Sequence, residues 1–281
     1  MSRYEPADVS AVVCTLNSMG GIERCLASLR AAGVGQVIVV DAHSTDGTRE
    51  VAEQLADHVL EDPGIGLGNA RNIGIRATFG SLILNMGSDN VMPAGQLERM
   101  ISFFDSEGVQ GVSARTQIEG AGYPSQGLNA WRRGRFVPGA ASVIGTPTLL
   151  EGDLLRAHPF DSSRRFSDDS ELCERWARDF GARFAISDAV VLEVGKTSWH
   201  EVVVRCRMYG ISDDEVLQKG RGEGWSLVRQ LKSVSHPLRV DVLEPLSRLP
   251  LKEGLATAPF LSAFAGLRYY YWAKAALKHP R

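Results

Sequence analysis

A chain of 281 residues, 44% hydrophobic and 23% charged, can bury one large core or two lobes, and its composition excludes a disordered or fibrous protein. Its net charge of −2 argues against broad nucleic-acid binding, which takes a basic face. No apolar run approaches the ~18–20 residues of a membrane-spanning helix, and a polar start that enters a strand directly predicts no signal peptide. Cys14, Cys25, Cys173 and Cys206 are widely separated without metal-type pairing. Cys14 and Cys173 sit in apolar segments and read as reduced core thiols, which fits a cytoplasmic protein.

In chain order, residues 9–15 read as a strand, followed by a helix with the apolar stripe Ile22, Cys25, Leu26 and Leu29. A second strand at 36–40 precedes a helix at 48–56, with Val51, Ala52 and Leu55 on one face. A brief strand at 58–60 and a glycine-rich stretch at 64–68 lead into a helix ending near Ala77. Residues 81–86 form the next strand, and Pro93 suits the start of the helix after it. This alternation predicts right-handed βαβ units and a mostly parallel sheet. Beyond a strand at 109–114, residues 119–145 lack periodicity and read as a lid or substrate loop. Residues 170–180 read as a helix with Leu172, Trp176 and Phe180 aligned; strands follow at 183–186 and 190–194. The remainder is helical, with breaks at 220–224 and 245–250.

Four polar clusters punctuate this pattern: Thr15-Leu16-Asn17, Asp41 with Ser44-Thr45-Asp46-Gly47, Gly68-Asn69-Ala70-Arg71-Asn72, and Gly87-Ser88-Asp89-Asn90. Three close strands and one opens a helix, so all four should gather on one edge of the sheet, where α/β folds bind ligands. Each alone has a plainer explanation as helix capping, a turn or a surface arginine. Their joint occurrence is what points to a site.

Together the clusters resemble the family 2 glycosyltransferases of the GT-A fold. The match runs through Thr15 and Asn17, Asp41 with Ser44 to Thr48, Ala70-Arg71-Asn72-Ile73-Gly74, and the acidic pair Asp168-Asp169 before Ser170-Glu171-Leu172. The resemblance covers about residues 9–187. It implies an α/β, Rossmann-like central sheet flanked by helices, with a helical C-terminal extension. A nucleotide-sugar half would span 1–115, an acceptor half with the catalytic base 116–195, and a helical region 196–281. It also implies an inverting sugar transfer from a nucleoside-diphosphate sugar, UDP-linked, to a glycan or polyprenyl-linked saccharide. Thr15, Leu16, Asn17, Asp41, Ser44, Arg71, Ser88 and Asp89 would hold the nucleotide; Asp89 would bind Mg²⁺ or Mn²⁺; Asp169 would be the general base, with Asp168 shaping its loop or raising its proton affinity.

The chain departs from the family in places. Gly87 stands where the first aspartate of Asp-x-Asp is usual, and Ala42 and His43 replace common residues. Glu193, Gly195 or, less well placed, His200 falls near the family's later metal-binding histidine. Residues 172–176 only faintly resemble the Gln-x-x-Arg-Trp motif of processive synthases, so Trp176 reads as core. Acceptor choice is assigned to 119–145, which offers Trp131, Arg132, Arg133 and Arg135. Residues 259–278 form an aromatic helix with the stripe Phe260, Phe264, Leu267 and Tyr271 flanked by Arg268, Lys274 and Lys278. That helix suits a membrane interface at the cytoplasmic face, docking on the protein's own core, or a homodimer contact. The altered Asp-x-Asp also admits a degenerate family member that binds nucleotide or partner without catalysis. A nucleotidyltransferase lacks support, because Met19-Gly20-Gly21 supplies no basic phosphate loop.

Overall fold

The strand at 9–15 is apolar on both faces, and the computed structural model, which describes residues 2–163 and 168–277, sandwiches it between helices. The chain opens with β1 (Val9–Thr15), α1 (Ile22–Ala31), β2 (Gln36–Asp41), α2 (Thr48–Leu55), β3 (His58–Glu61), α3 (Leu67–Arg76) and β4 (Leu82–Gly87). It continues through β5 (Asn90–Val91), α4 (Gln96–Glu107), β6 (Gly111–Ile118), α5 (Tyr123–Arg135), β7 (Gly139–Ala141), β8 (Thr148–Glu151), α6 (Gly152–Ala157), α7 (Asp168–Phe180) and β9 (Phe184–Glu193). The last part comprises α8 (Trp199–Gly222), α9 (Leu227–Val234), α10 (His236–Leu238), a π-turn at Arg239–Leu243, α11 (Glu244–Arg248) and α12 (Leu251–Ala276). Two compact units result: residues up to 117 with 138–194, and residues 118–137 with those from 195 onward. The segment expected as one acceptor half is thus divided, and 118–137 joins the C-terminal helices.

Among the described residues the strands lie in the first unit, save the last residue of β6, in the order β3-β2-β1-β4-β8-β6-β9-β5, with β7 beside β9. β3, β2, β1 and β4 are parallel, while β8 pairs antiparallel with β4 and β6, and β5 and β7 with β9. Alternate residues feed two cores. Val9, Ala11, Val13, Val37, Val39, Leu82 and Leu84 join α1 and α4 on one face; Val12, Ile38, Val40 and Ile83 join α3 and α7 on the other. Burial on both faces is why these strands read as unbroken apolar runs rather than alternating ones. Each fully buried Val, Leu or Ile contributes about 1.5–3 kcal/mol. The stripe Ile22, Cys25, Leu26 and Leu29 is wholly buried, as its spacing predicts.

Several expectations are corrected. Pro93 precedes α4 rather than starting it; its carbonyl accepts the Gln96 N–H at 3.2 Å. The two strands expected at 183–194 are one, because the polar residues between them are satisfied sideways. Ser187 donates to the Ser113 carbonyl at 3.0 Å, and Asp188 accepts from Arg99 at 3.0 Å. Phe180 is exposed and packs on His158, although Leu172 and Trp176 of the same helix are buried. Residues 119–145 are not an irregular loop: they contain α5 and β7. A Cβ on Gly127 would lie 2.4 Å from the Phe260 ring and one on Gly134 2.5 Å from the Pro245 Cα. The close helix crossings that need these glycines also erase the apolar period.

The second unit packs α5, α8 and α12 around Leu128, Trp131, Val202, Cys206, Phe260 and Phe264. Phe260 and Phe264 are buried, Leu267 and Tyr271 pack against the same cluster, and Arg268 and Trp272 are buried too. The aromatic stripe of α12 therefore faces its own unit's core, while Lys278 lies outside the described residues. No helix among the described residues is long and apolar enough to cross a membrane. All four cysteines are free thiols.

Candidate active site

The carboxyl ends of β1 and β2 lie side by side, with Thr15 opposite Asp41. Asp41 is fully buried and spends both carboxylate oxygens on its own turn. The Ser44 hydroxyl donates to Oδ1 at 2.6 Å and the Ser44 N–H to Oδ2 at 3.0 Å. Ser44 Oγ in turn accepts the Asn17 N–H at 2.8 Å, and Asn17 Oδ1 accepts the Thr45 N–H at 3.0 Å. Asp46 accepts from the Thr48 hydroxyl at 2.5 Å and the Met19 N–H at 3.1 Å. The Thr48 hydroxyl and these amides hold its carboxyl below the usual range. Five polar side chains thus lace two loops together, and this is the work the Asp-x-x-Ser-Thr-Asp-Gly-Thr string does locally. Asn17 and His43 take left-handed backbone conformations (φ 47° and 57°), which Asn and His tolerate better than most residues. Leu16 and Asn17 stay exposed; Thr15 is buried. His43 is exposed beside Glu61 at 3.4 Å.

The fourth cluster closes β4. Ser88 Oγ donates to Ser18 Oγ at 2.9 Å, tying this turn to the first loop. A Cβ on Gly87 would fall 2.8 Å from Asp89 Oδ1 and 3.0 Å from Asn90 Oδ1. An aspartate at 87 would therefore require the Asp89 and Asn90 side chains to shift. β5 brings Asn90 opposite Glu193, and the Val194 N–H donates to the Asp89 carbonyl at 2.7 Å. Glu193 is buried at that pairing, whereas His200 is exposed in the first turn of α8, in the other unit. Gly195 occupies a turn with φ 80°. Among the described residues no three His, Cys, Asp or Glu side chains gather as a metal site. A donor set built on one carboxylate, Asp89, fits only a cation whose remaining ligands are substrate oxygens and water, as suits Mg²⁺ or Mn²⁺.

The acidic pair opens α7, where carboxylates meet the positive end of the helix dipole. Arg71, buried on α3, reaches it from the Ala-Arg-Asn motif. Nη1 donates to Asp168 Oδ2 at 2.6 Å and to Asp169 Oδ1 at 2.8 Å, and Nη2 donates to Thr146 Oγ1 at 2.5 Å. The guanidinium also lies over the Phe160 ring, 5.1 Å from its centroid. Asn72 anchors the same segment, donating to the Phe160 carbonyl at 2.8 Å and accepting its N–H at 3.0 Å. Asp168 is almost wholly covered; the Asp169 side chain keeps 26% exposure. Burial pushes the Asp169 carboxyl up from 3.8 to about 6; the Arg71 cation opposes the rise and the Asp168 charge adds to it. Asp169 Oδ2 points toward Gly145, 4.0 Å from where a Cβ there would lie.

Thr146 links the acidic pair to the other clusters. It precedes β8, which runs antiparallel to β4 with Thr148 opposite Asn85, so Thr146 lies toward the Gly87 end. Thr15, Leu16, Asn17, Asp41, Ser44, Ser88 and Asp89 sit at the carboxyl ends of β1, β2 and β4, in the same unit as Arg71, Asp168 and Asp169. Arg71 is committed to the acids rather than left open toward a nucleotide phosphate. Of the residues expected near an acceptor, Trp131 and Arg135 bond to Asp241 and the exposed Arg133 pairs with Glu253, all within the helical unit. Thr146 and Phe160 escaped sequence reasoning, since nothing local marks a lone threonine or phenylalanine as the partner of a distant arginine.

Known proteins bear on this arrangement. A family model described as Glycosyl transferase family 2 matches residues 10–149. Glycosyltransferase AglE of Haloferax volcanii is 29% identical over 138 residues, which is 46% of this chain and 44% of that protein. The chain thus matches less than half the length of that relative. Among solved structures, mannosyltransferase PcManGT from Pyrobaculum calidifontis, in complex with GDP-Man and Mn²⁺, superposes with a TM-score of 0.61 at 20% identity, covering 98% of this chain and 88% of that one. S. aureus TarS 1-349 in complex with UDP-GlcNAc gives 0.52 at 16% identity, covering 95% and 90%. The chain belongs to glycosyltransferase family 2 and has the GT-A fold.

Proposed function

We propose that this family 2 member is an inverting glycosyltransferase that moves a sugar from a nucleoside-diphosphate sugar, UDP-linked, to a hydroxyl of a glycan or polyprenyl-linked saccharide. One observation carries the reading. Asp169 is held at the carboxyl edge of the sheet, one oxygen bonded to Arg71 and its side chain 26% exposed, with its carboxyl raised to about 6. Such a group is ionised at neutral pH yet basic enough to take a proton from an attacking hydroxyl. In the proposed step the acceptor oxygen bonds to the anomeric carbon, the carbon–oxygen bond to diphosphate breaks on the opposite face, and the acceptor proton passes to Asp169. The leaving electron pair ends on the diphosphate. Arg71 and Thr146 orient the base, and Asp168 shapes its loop.

The donor end is assigned to the loops after β1, β2 and β4. Leu16 and Asn17 meet the base and ribose, with Thr15, Asp41 and Ser44 fixing their loop; Ser88 and Asp89 face the ribose and diphosphate. A divalent cation held by Asp89 would neutralise charge on the departing diphosphate. The nucleotide-sugar complexes of PcManGT and TarS support a nucleotide-sugar donor, and the Mn²⁺ of PcManGT supports the cation.

The test is transfer or hydrolysis across a panel of UDP- and GDP-sugars, with Mn²⁺ and with chelator, for wild type and Asp169→Asn. The variant should lose about 10²–10⁴-fold in turnover while still binding donor. Full turnover by Asp169→Asn would remove this residue from the mechanism. UDP binding indifferent to metal, with no donor turned over, would establish the non-catalytic alternative.

A further inference from the structure

Helix α9 wears its polarity inside out. Leu227, Val228, Leu231 and Val234 are 77%, 63%, 69% and 42% exposed, as is Leu238 in the following turn at 48%. No residue of α9 is buried. At 3.6 residues per turn, Leu227, Leu231, Val234 and Leu238 share an arc of about 60°. The half-buried positions of α9, Gln230 and Ser233, are polar and lie outside that arc. Gln230 is turned onto its own unit, donating to the Trp225 carbonyl at 3.0 Å and accepting from Arg221 at 3.1 Å. A surface helix ordinarily does the reverse, apolar side inward.

The helix is fixed in this pose. Ser226 caps it by accepting the Arg229 N–H at 3.3 Å, and the Tyr269 hydroxyl of α12 donates to the Val234 carbonyl at 2.7 Å. Tyr269, at the start of the run of aromatics in α12, thus serves to set α9 in place. Its charge is one-sided as well. From Gly224 to Val240 the chain has no acidic residue, whereas Arg229, Lys232 and Arg239 are basic. Lys232 sits on the flank of the apolar arc next to Val228, and the Arg229 guanidinium lies over the Trp225 ring at 4.1 Å.

We propose that α9 with Leu238 is the membrane-docking element of this protein, lying in the plane of an anionic bilayer with its leucines among the acyl chains and its cations at the headgroups. An apolar face bordered by Lys232, on a segment that is basic and has no carboxylate of its own, complements such a surface in both hydrophobicity and charge. The proposal moves lipid contact away from the α12 stripe, which its own core covers, and it does not depend on the reading of the active site.

Co-sedimentation of the full chain with vesicles tests it, using phosphatidylcholine alone and phosphatidylcholine with phosphatidylglycerol. Wild type should bind the anionic vesicles at least about tenfold more tightly than the neutral ones, less so at high salt. Leu227→Ser/Leu231→Ser should weaken that binding at least about tenfold with unchanged thermal unfolding, because both sites are exposed. Leu255→Ser, an exposed leucine on α12, should bind as wild type. No binding by wild type, or equal binding by the double variant, overturns the proposal. So does a wild-type dimer, seen by light scattering, that the double variant dissolves, since a second copy would then cover this face.

Discussion

Each unit of the molecule buries one arginine between two aspartates, and the two clusters differ in what they leave over. In the helical unit Arg268 grips Asp213 through two nitrogens at 2.6 and 2.7 Å and Asp241 at 2.7 Å. Asp241 is wholly buried and also accepts from Trp131 at 3.1 Å and Arg135 at 2.7 Å. Nothing there is open to a substrate. In the sheet unit Arg71 is just as deeply set, but Asp169 gives it one oxygen and keeps a quarter of its side chain exposed. An arginine–diaspartate motif is therefore not in itself a sign of chemistry; the two clusters are told apart by the exposure that Asp169 keeps. The saturated cluster is closed on itself, and the incomplete one is where the proposed mechanism exchanges its proton.

The largest effects should fall on the saturated cluster. Removing Arg268 as Arg268→Met strands two covered carboxylates, and breaking such a buried pair costs about 3–5 kcal/mol. Denaturant unfolding should show that loss, while turnover per folded molecule stays within about twofold of wild type. A fall in turnover beyond that at unchanged stability would make the helical cluster a functional site and dissolve the contrast.

The sheet cluster should respond in the opposite currency. Lysine at 71 keeps the charge but not the planar fork that spans Asp168, Asp169 and Thr146. Arg71→Lys should lower kcat about tenfold, leave the donor KM near wild type, and cost less stability than Arg268→Met. If instead the donor KM rises and kcat holds, Arg71 serves the nucleotide phosphate, the role that family resemblance implies, and its grip on the acids is secondary.

The same contrast explains what could be read in the sequence. The parallel half of the sheet was legible almost to the residue, because Val9 to Thr15 and the stripe Ile22, Cys25, Leu26 and Leu29 answer to local periodicity. The donor loops were legible because Asp41, Ser44 and Asp46 order a turn from within one short string. What depends on distant partners was hidden. α5 is punctuated by Gly127 and Gly134, chosen for Phe260 and Pro245 more than a hundred residues on. The covered face of α12 could not be told from a membrane face until Trp131 and Val202 were seen against it. Likewise, α9 drew no attention because its amphipathic spacing is that of any surface helix; only the structure shows which side points outward.

The subtlest prediction concerns pH at the incomplete cluster. The Asp169 carboxyl is raised from 3.8 to about 6 in the folded protein, so between these values the folded state holds a proton that the unfolded chain has released. The favourable contribution of this group is complete below the unfolded value and disappears as pH climbs through about 6, leaving the ionised form a net cost at neutrality. Asparagine in its place carries no charge to bury. Asp169→Asn should melt with wild type near pH 4 and a few degrees above it at pH 7.5, a small shift for a domain of this size. Over the same interval wild-type kcat/KM should rise about tenfold per pH unit below 6 and flatten above it, as ionisation creates the base. If Asp169→Asn melts below wild type at pH 7.5, the bond to Arg71 outweighs the burial of the charge. Asp169 would then stand with Asp241 as a residue held for stability, and the base would have to be sought elsewhere along the sheet edge.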